Sequence, residues 1–122
     1  KNGMKHGKGK YEFVDGSMYN GEWENDNING DGKYTFSDGS ICKGSFLNGK
    51  VNGQGTYDYV NGDKYEGLFS VGKRDGMGTC TYSNGDVYTG EWKNDQINGQ
   101  GKFMYRNGNI YEGEFLAKNS PS

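Results

Sequence analysis

Histidine, cysteine and clustered carboxylates are the side chains best suited to chemistry, and this chain holds few of them in usable arrangements. His6 is the only histidine, and neither cysteine stands at metal-ligand spacing from it. The carboxylates are spread along predicted strands, where water solvates them and no acid-base pair forms. We therefore expect no catalytic residue, no metal ligand and no cofactor, and we expect that the chain is not an enzyme.

Two short motifs resemble ligand-binding loops but lack essential residues. Residues 25–30 begin like a calcium-binding loop, yet the twelfth position is Phe36, where a bidentate glutamate is required. The Gly-x-Gly pairs open predicted strands, whereas a phosphate-binding loop opens a helix. The sequence therefore predicts neither a calcium loop nor a phosphate cradle.

Basic side chains leave one further chemistry open, which is contact with anionic lipid headgroups. The candidates for this role are Lys5, Lys8, Lys10, Lys73, Arg74, Lys102 and Arg106. Solvated strand faces also carry such residues, so both interpretations stay open. The formal net charge of −2 gives no long-range attraction to nucleic acid, which we exclude as a partner.

The elements that position these residues derive from residues 7–23, a segment that recurs every 23 residues. Two β-type runs flank Asp15-Gly16, a dipeptide typical of hairpins with a type I′ turn. We predict a repeat array over residues 7–115, with six-residue loops between its hairpins. Residues 1–6 align with the end of a preceding loop, and residues 116–122 form a C-terminal tail. The five predicted hairpins span residues 7–23, 30–46, 53–69, 76–92 and 99–115.

Aromatic residues and glycines keep the same places in every repeat. Four columns of the repeat contain all 18 aromatic residues, and Cys42 and Cys80 fill the two remaining positions. Strand alternation puts rings and glycines on one face and charged residues on the other. The predicted fold is all-β, an elongated single-layer antiparallel meander of five 23-residue β-hairpins. The cysteines lie three strands apart, roughly 14 Å at about 4.8 Å per strand, so we expect free thiols.

These columns resemble the MORN repeat (membrane occupation and recognition nexus). The resemblance lies in Tyr-x-Gly-x-Trp/Phe runs at residues 19–23, 65–69, 88–92 and 111–115, together with Gly-x-Gly-x-Tyr runs at residues 7–11, 30–34 and 53–57. One run departs from the pattern, because Cys42 replaces its tyrosine. The resemblance implies a non-catalytic β strip of the kind found in cytoskeletal and membrane-junction scaffolds and beside the catalytic domains of some enzymes.

The expected function is a scaffold that binds a partner protein or peptide through an aromatic-lined trough, or self-associates as a homo-oligomer through its terminal repeats. Most ring area is expected to serve packing, with exposed ring edges left for the partner. The predicted partner-binding rings are Tyr19, Trp23, Tyr65, Phe69, Tyr88, Trp92, Tyr111 and Phe115. The alternatives are a module that binds phosphoinositides or other acidic phospholipids, and an accessory region of a larger enzyme. We expect a cytoplasmic location, with attachment to the cytoskeleton or to a membrane as alternatives.

Overall fold

A computed structural model describes residues 4–116 as one antiparallel sheet of ten strands. The strands pair in chain order from first to last, so the predicted all-β meander is confirmed. Within residues 4–116 no helix long and apolar enough to cross a membrane is found. The strands are β1 (Gly7–Glu12), β2 (Met18–Glu24), β3 (Asn27–Thr35), β4 (Ile41–Leu47), β5 (Lys50–Asp58), β6 (Lys64–Ser70), β7 (Lys73–Thr81), β8 (Val87–Lys93), β9 (Gln96–Met104) and β10 (Ile110–Phe115).

The strand register places like residues opposite each other. Between β1 and β2, Tyr11 pairs with Tyr19 and Gly9 pairs with Gly21. Gly21 in turn pairs with Gly32 on β3. Because successive side chains alternate between faces, this register gathers rings and glycines on one side of the sheet, which we call the aromatic face.

The Asp-Gly turn between β1 and β2 differs from the predicted type I′ turn. Gly16 has a φ of 95°, but Asp15 is not among the residues with positive φ. The Phe13 N–H donates to the Ser17 carbonyl over 2.8 Å, and the Gly16 N–H donates to the Phe13 carbonyl over 3.0 Å. These bonds define a three-residue loop, a type I turn followed by a left-handed glycine. Hydrogen bonds from Ser17 to the Asp15 carboxylate stabilise this loop and lower the Asp15 pKa.

The predicted six-residue linkers are mostly strand. Only residues 25 and 26 separate β2 from β3. Asn25 and Asp26 have φ values of 49° and 70°, as a two-residue type I′ turn requires. The strand extensions also carry Ile28 and Val51 into the core, where they are 8% and 4% exposed. The tight turns therefore lie in the linkers, because Asn and Asp tolerate left-handed backbone better than most residues.

The core forms where tyrosine rings lie on glycines of the next strand. A Cβ added to Gly32 would overlap the Tyr19 ring, and Gly78 and Gly101 meet the rings of the next two such tyrosines in the same way. The Tyr19 hydroxyl donates to the Glu22 carbonyl over 3.0 Å, at the point where the register between β2 and β3 shifts. Tyr19 is consequently fully buried although the sheet has a single layer.

Gly32→Ala should lower the free energy of unfolding by about 1–3 kcal/mol, because the added methyl group overlaps the Tyr19 ring. Gly9 occupies the same column one repeat earlier, and its nearest neighbour outside the local chain is Trp23 at 3.6 Å. Gly9→Ala should therefore change stability by less than about 0.5 kcal/mol. Urea unfolding followed by tryptophan fluorescence measures both, and equal losses would contradict this role of the ring.

Candidate interaction surface on the aromatic face

Nine rings form an edge-to-face series on the aromatic face, which we call the ring ladder. In the typical case a tyrosine contacts two rings edge-to-face. One is the Trp or Phe four residues later, and the other is the Trp or Phe in the same column of the next repeat. The Tyr19 centroid lies 5.2 Å from that of Trp23 and 5.4 Å from that of Phe46, with interplanar angles of 88° and 80°. The same geometry recurs in the third and fourth repeats, and the fifth keeps the contact within its own strand. The ladder members are Trp23, Tyr19, Phe46, Phe69, Tyr65, Trp92, Tyr88, Phe115 and Tyr111.

All eight rings predicted to bind a partner belong to the ring ladder. Six of them are between 0% and 6% exposed, namely Tyr19, Trp23, Tyr65, Phe69, Tyr88 and Trp92. Tyr111 is 46% exposed and Phe115 is half-buried. The expectation that all these rings keep exposed edges is wrong for the six, because each one packs over a neighbouring strand and against other rings of the ladder. Accessible area remains only at Tyr111 and Phe115.

A second row of rings, which we call the stacked row, keeps the accessible area that the ring ladder lacks. Its members pack half-buried against the ladder. Phe13 stacks on Tyr34 at 5.8 Å between centroids, and Phe36 stacks on Tyr57 at 5.5 Å. Sequence analysis did not assign partner binding to these rings, because the position of a ring in the repeat does not show how much of it stays accessible in the sheet. The stacked row comprises Phe13, Tyr34, Phe36, Tyr57, Tyr59, Tyr82, Phe103 and the more exposed Tyr105.

Arg74 stands in a column that holds apolar residues at Ile28, Val51 and Ile97, and lysine at Lys5. Its guanidinium carbon lies 4.5 Å from the ring centroid of Trp92, with Tyr59 and Tyr65 at 5.6 and 5.9 Å. In other repeats the position of Cys80 holds a tyrosine, such as Tyr34 or Tyr57. The rings that contact those tyrosines occupy the same columns as the three rings around Arg74. The guanidinium therefore occupies the space of the ring that Cys80 lacks.

Asp95 holds the Arg74 side chain in place. Arg74 Nε donates to Asp95 Oδ1 over 3.0 Å, and an Nη2 hydrogen bond of 2.9 Å reaches the Asp95 carbonyl. Lys5 and Asp26 repeat the arrangement, with 3.3 Å between Nζ and Oδ1. Hydrogen bonds from the Lys5 backbone and side chain lower the Asp26 pKa. Two of the seven predicted lipid contacts are thus already engaged within the chain.

The other predicted lipid contacts are exposed but do not converge. Lys8 and Lys10 lie on β1, whereas Lys102 lies on β9, roughly 38 Å away at about 4.8 Å per strand. Lys73 begins β7, and Arg106 lies in the turn after β9. The structure therefore does not gather these lysines and arginines into one site.

One row of basic residues lies on the outer face. Lys33 pairs directly with Lys43, and Asn20 pairs with both Lys10 and Lys33. Lys10, Lys33 and Lys43 thus lie in one row across four strands. The cross-strand register is the signal that identifies this row.

The thiols and carboxylates of the described residues are not arranged for metal binding. Within residues 4–116 no group of three or more His, Cys, Asp and Glu residues is placed to hold a metal ion. Cys42 and Cys80 are buried free thiols. Burial raises the pKa of Cys42 to about 12, so its thiol stays protonated near neutral pH.

Family models account for most of the chain. The MORN repeat model matches five consecutive segments, at residues 1–18, 19–41, 42–64, 65–87 and 88–110. The chain belongs to the MORN repeat family. The four matched segments from residue 19 onward keep the 23-residue period but begin in the second strand of a hairpin, so each of these MORN units joins two neighbouring hairpins. A search of curated proteins finds no match.

Cys80→Phe should lower the free energy of unfolding of this MORN array by about 1–3 kcal/mol, because the new ring competes with the Arg74 guanidinium. Arg74→Ile should also lower the free energy of unfolding, because the shorter side chain leaves a gap among the three rings that surround the guanidinium. The combined variant restores the ring and aliphatic residue of other repeats, so it should recover much of the loss. A double-mutant cycle by urea unfolding should give a coupling energy of about 0.5–3 kcal/mol. Additive losses would show that the two positions do not share one space.

Proposed function

We propose that this MORN array is a non-catalytic interaction module that holds an extended segment of a partner protein along the stacked row. MORN repeats are often involved in protein or membrane interactions. The observation that carries the proposal is a row of half-buried rings with two hollows beside it. One hollow of about 370 Å³ borders Tyr34, Phe36 and Tyr57, and a more open one of about 840 Å³ borders Tyr82 and Phe103. Tyrosine and phenylalanine with remaining accessible area supply binding energy at interfaces.

A random peptide library displayed on phage provides the probe, because the natural partner is not needed to test the surface. Peptides selected on the whole chain are then synthesised and titrated by fluorescence anisotropy. A double variant, Tyr82→Ala with Tyr105→Ala, should weaken their binding at least tenfold, because it removes two rings of the stacked row. Thermal unfolding of the variant identifies a temperature at which it is folded, and binding is measured there.

The matched control is Met77→Ala with Met104→Ala, which removes exposed apolar side chains from the outer face. This control should change peptide affinity less than twofold. Failure to select any binding peptide, or loss of binding only in the outer-face control, would overturn the proposal. Vesicles with an acidic phospholipid test the membrane alternative: binding lost in Lys33→Ala with Lys43→Ala would favour lipid instead.

Self-association is a second candidate function, favoured by the charges at the two open edges of the sheet. On the outer face β1 presents Lys8 and Lys10, and β10 presents Glu112 and Glu114. In the register that joins β2 to β3, a β1 strand from a second copy would place Lys10 opposite Glu112. The same pairing would cover Tyr111, whose three tyrosine counterparts are buried. The combination supports head-to-tail addition of a second copy.

Charge reversal tests this second candidate. Lys8→Glu with Lys10→Glu, and separately Glu112→Lys with Glu114→Lys, should each give monomers, because like charges then face each other across the junction. An equimolar mixture of the two variants should associate again, since opposite charges are restored. Sedimentation velocity over the micromolar range measures all three samples. A monomeric parent chain, or variants that associate as the parent does, would contradict head-to-tail pairing.

A further inference from the structure

The ring ladder is interrupted once, at Cys42. Tyr19 bridges Trp23 and Phe46, and Tyr65 bridges Phe69 and Trp92. No ring joins Phe46 to Phe69, because Cys42 stands in the tyrosine column between them. The second repeat therefore lacks the ring that every other repeat contributes at this position.

The space of this missing ring is only partly filled. The Arg74 guanidinium replaces the ring that Cys80 lacks, but Cys42 stands in a different column of the repeat, and the residue of the Arg74 column near Cys42 is the much smaller Val51. Over Gly55, where a tyrosine ring would lie, a built Cβ would stand 3.1 Å from Val51 Cγ2 and 3.3 Å from Phe69 Cε1. These contacts are looser than those of the tyrosine rings over Gly32 and Gly78, so the aromatic face is thinner here.

A hollow of about 370 Å³ lies at this thin point, and we call it the Cys42 pocket. Cys42 itself lines the pocket but is only 1% exposed, so the rings provide most of the contact surface. The large apolar side chains that line it are Tyr34, Phe36, Phe46, Val51 and Tyr57. For comparison, a cavity of about 150 Å³ with apolar walls is large enough to bind benzene.

Lys50 gives the Cys42 pocket a charge preference. It borders the pocket together with Gly49 and Gly72, and its side chain is exposed. The three ion pairs found within residues 4–116 do not involve Lys50. Its ammonium group is therefore available to a carboxylate brought by a ligand.

We propose that the Cys42 pocket takes one phenyl or phenol ring of a partner segment, with a carboxylate next to that ring held by Lys50. This inference rests on the proposed peptide-binding function, which it extends to the chemistry of one anchoring position. An aromatic residue followed by an acidic residue fits both the ring-lined space and the cation at its border. The array thereby gains a preferred register for a segment lying along the stacked row.

Two small probes test the pocket without a peptide, namely 4-hydroxyphenylacetate and the uncharged 4-methylphenol. Titration of the whole chain, followed by backbone amide NMR shifts, should give saturable changes confined to residues around Cys42 and Lys50. The charged probe should bind at least threefold more tightly than the uncharged one. Lys50→Gln should remove that difference, whereas Lys73→Gln, in the same column one repeat later, should preserve it.

Cys42→Tyr should abolish binding of both probes, because the new ring fills the position that the other repeats fill. The same change should raise the unfolding midpoint by completing the ring ladder. If Cys42→Tyr does not fold, the Lys50→Gln variant decides the test, because Lys50 is exposed and its substitution should leave the fold intact. The absence of saturable shifts, or shifts that Lys50→Gln leaves unchanged, would overturn the inference.

The outcomes separate this inference from the proposed function. Peptides that bind through Tyr82 and Tyr105 while neither probe binds would overturn the pocket alone. Probe binding in the absence of any selected peptide would overturn the peptide-binding function and leave the pocket as a small-molecule site. Peptides selected for binding should be enriched in an aromatic residue adjacent to Asp or Glu, and random composition at that position would count against the pocket.

Discussion

A tyrosine ring lying flat on a cross-strand glycine is the contact on which this sheet depends. A single-layer sheet has no second layer to bury its apolar side chains, so the rings must provide that layer themselves. Gly21 and Gly32 leave the backbone bare, and Tyr19 covers both. Its hydroxyl is satisfied by the Glu22 carbonyl, so a polar group is buried without an unpaired donor. The arrangement recurs with the period of the sequence.

The turns bind successive repeats to one another along the side of the sheet where the linkers lie. The Gly49 N–H donates to the Ile28 carbonyl over 3.0 Å, and the Gly72 N–H donates to the Val51 carbonyl over 2.8 Å. Where the strand residue is Arg74, the turn residue is Asp95, which bonds both the backbone and the guanidinium. A turn that contains glycine thus bonds to the backbone of an apolar residue two strands away. A turn that contains aspartate bonds to a cationic residue at that position. Each junction is specified by a few local contacts.

The period, the strand order and the composition of the core could be predicted from the sequence, because alternation fixes which columns share a face. The turn at Asp15-Gly16 could not, since the same dipeptide fits a two-residue and a three-residue loop. Burial of Tyr19 depends on the neighbouring strand that covers it, which spacing along one strand does not reveal. Arg74 resembles a solvated cation in sequence, and only its three surrounding rings show that it substitutes for a missing aromatic side chain.

Stability in an array of this kind is a sum of repeat terms and nearest-neighbour terms. In the ring ladder, the nearest-neighbour contact is a tyrosine that packs against the Trp or Phe of the next repeat. Between the second and third repeats this contact is absent, because Cys42 replaces the tyrosine. The stacking of Phe36 on Tyr57 still spans this boundary. Between the second and third repeats the ring-to-ring coupling therefore rests on the stacked row alone, whereas between the first and second repeats both rows contribute.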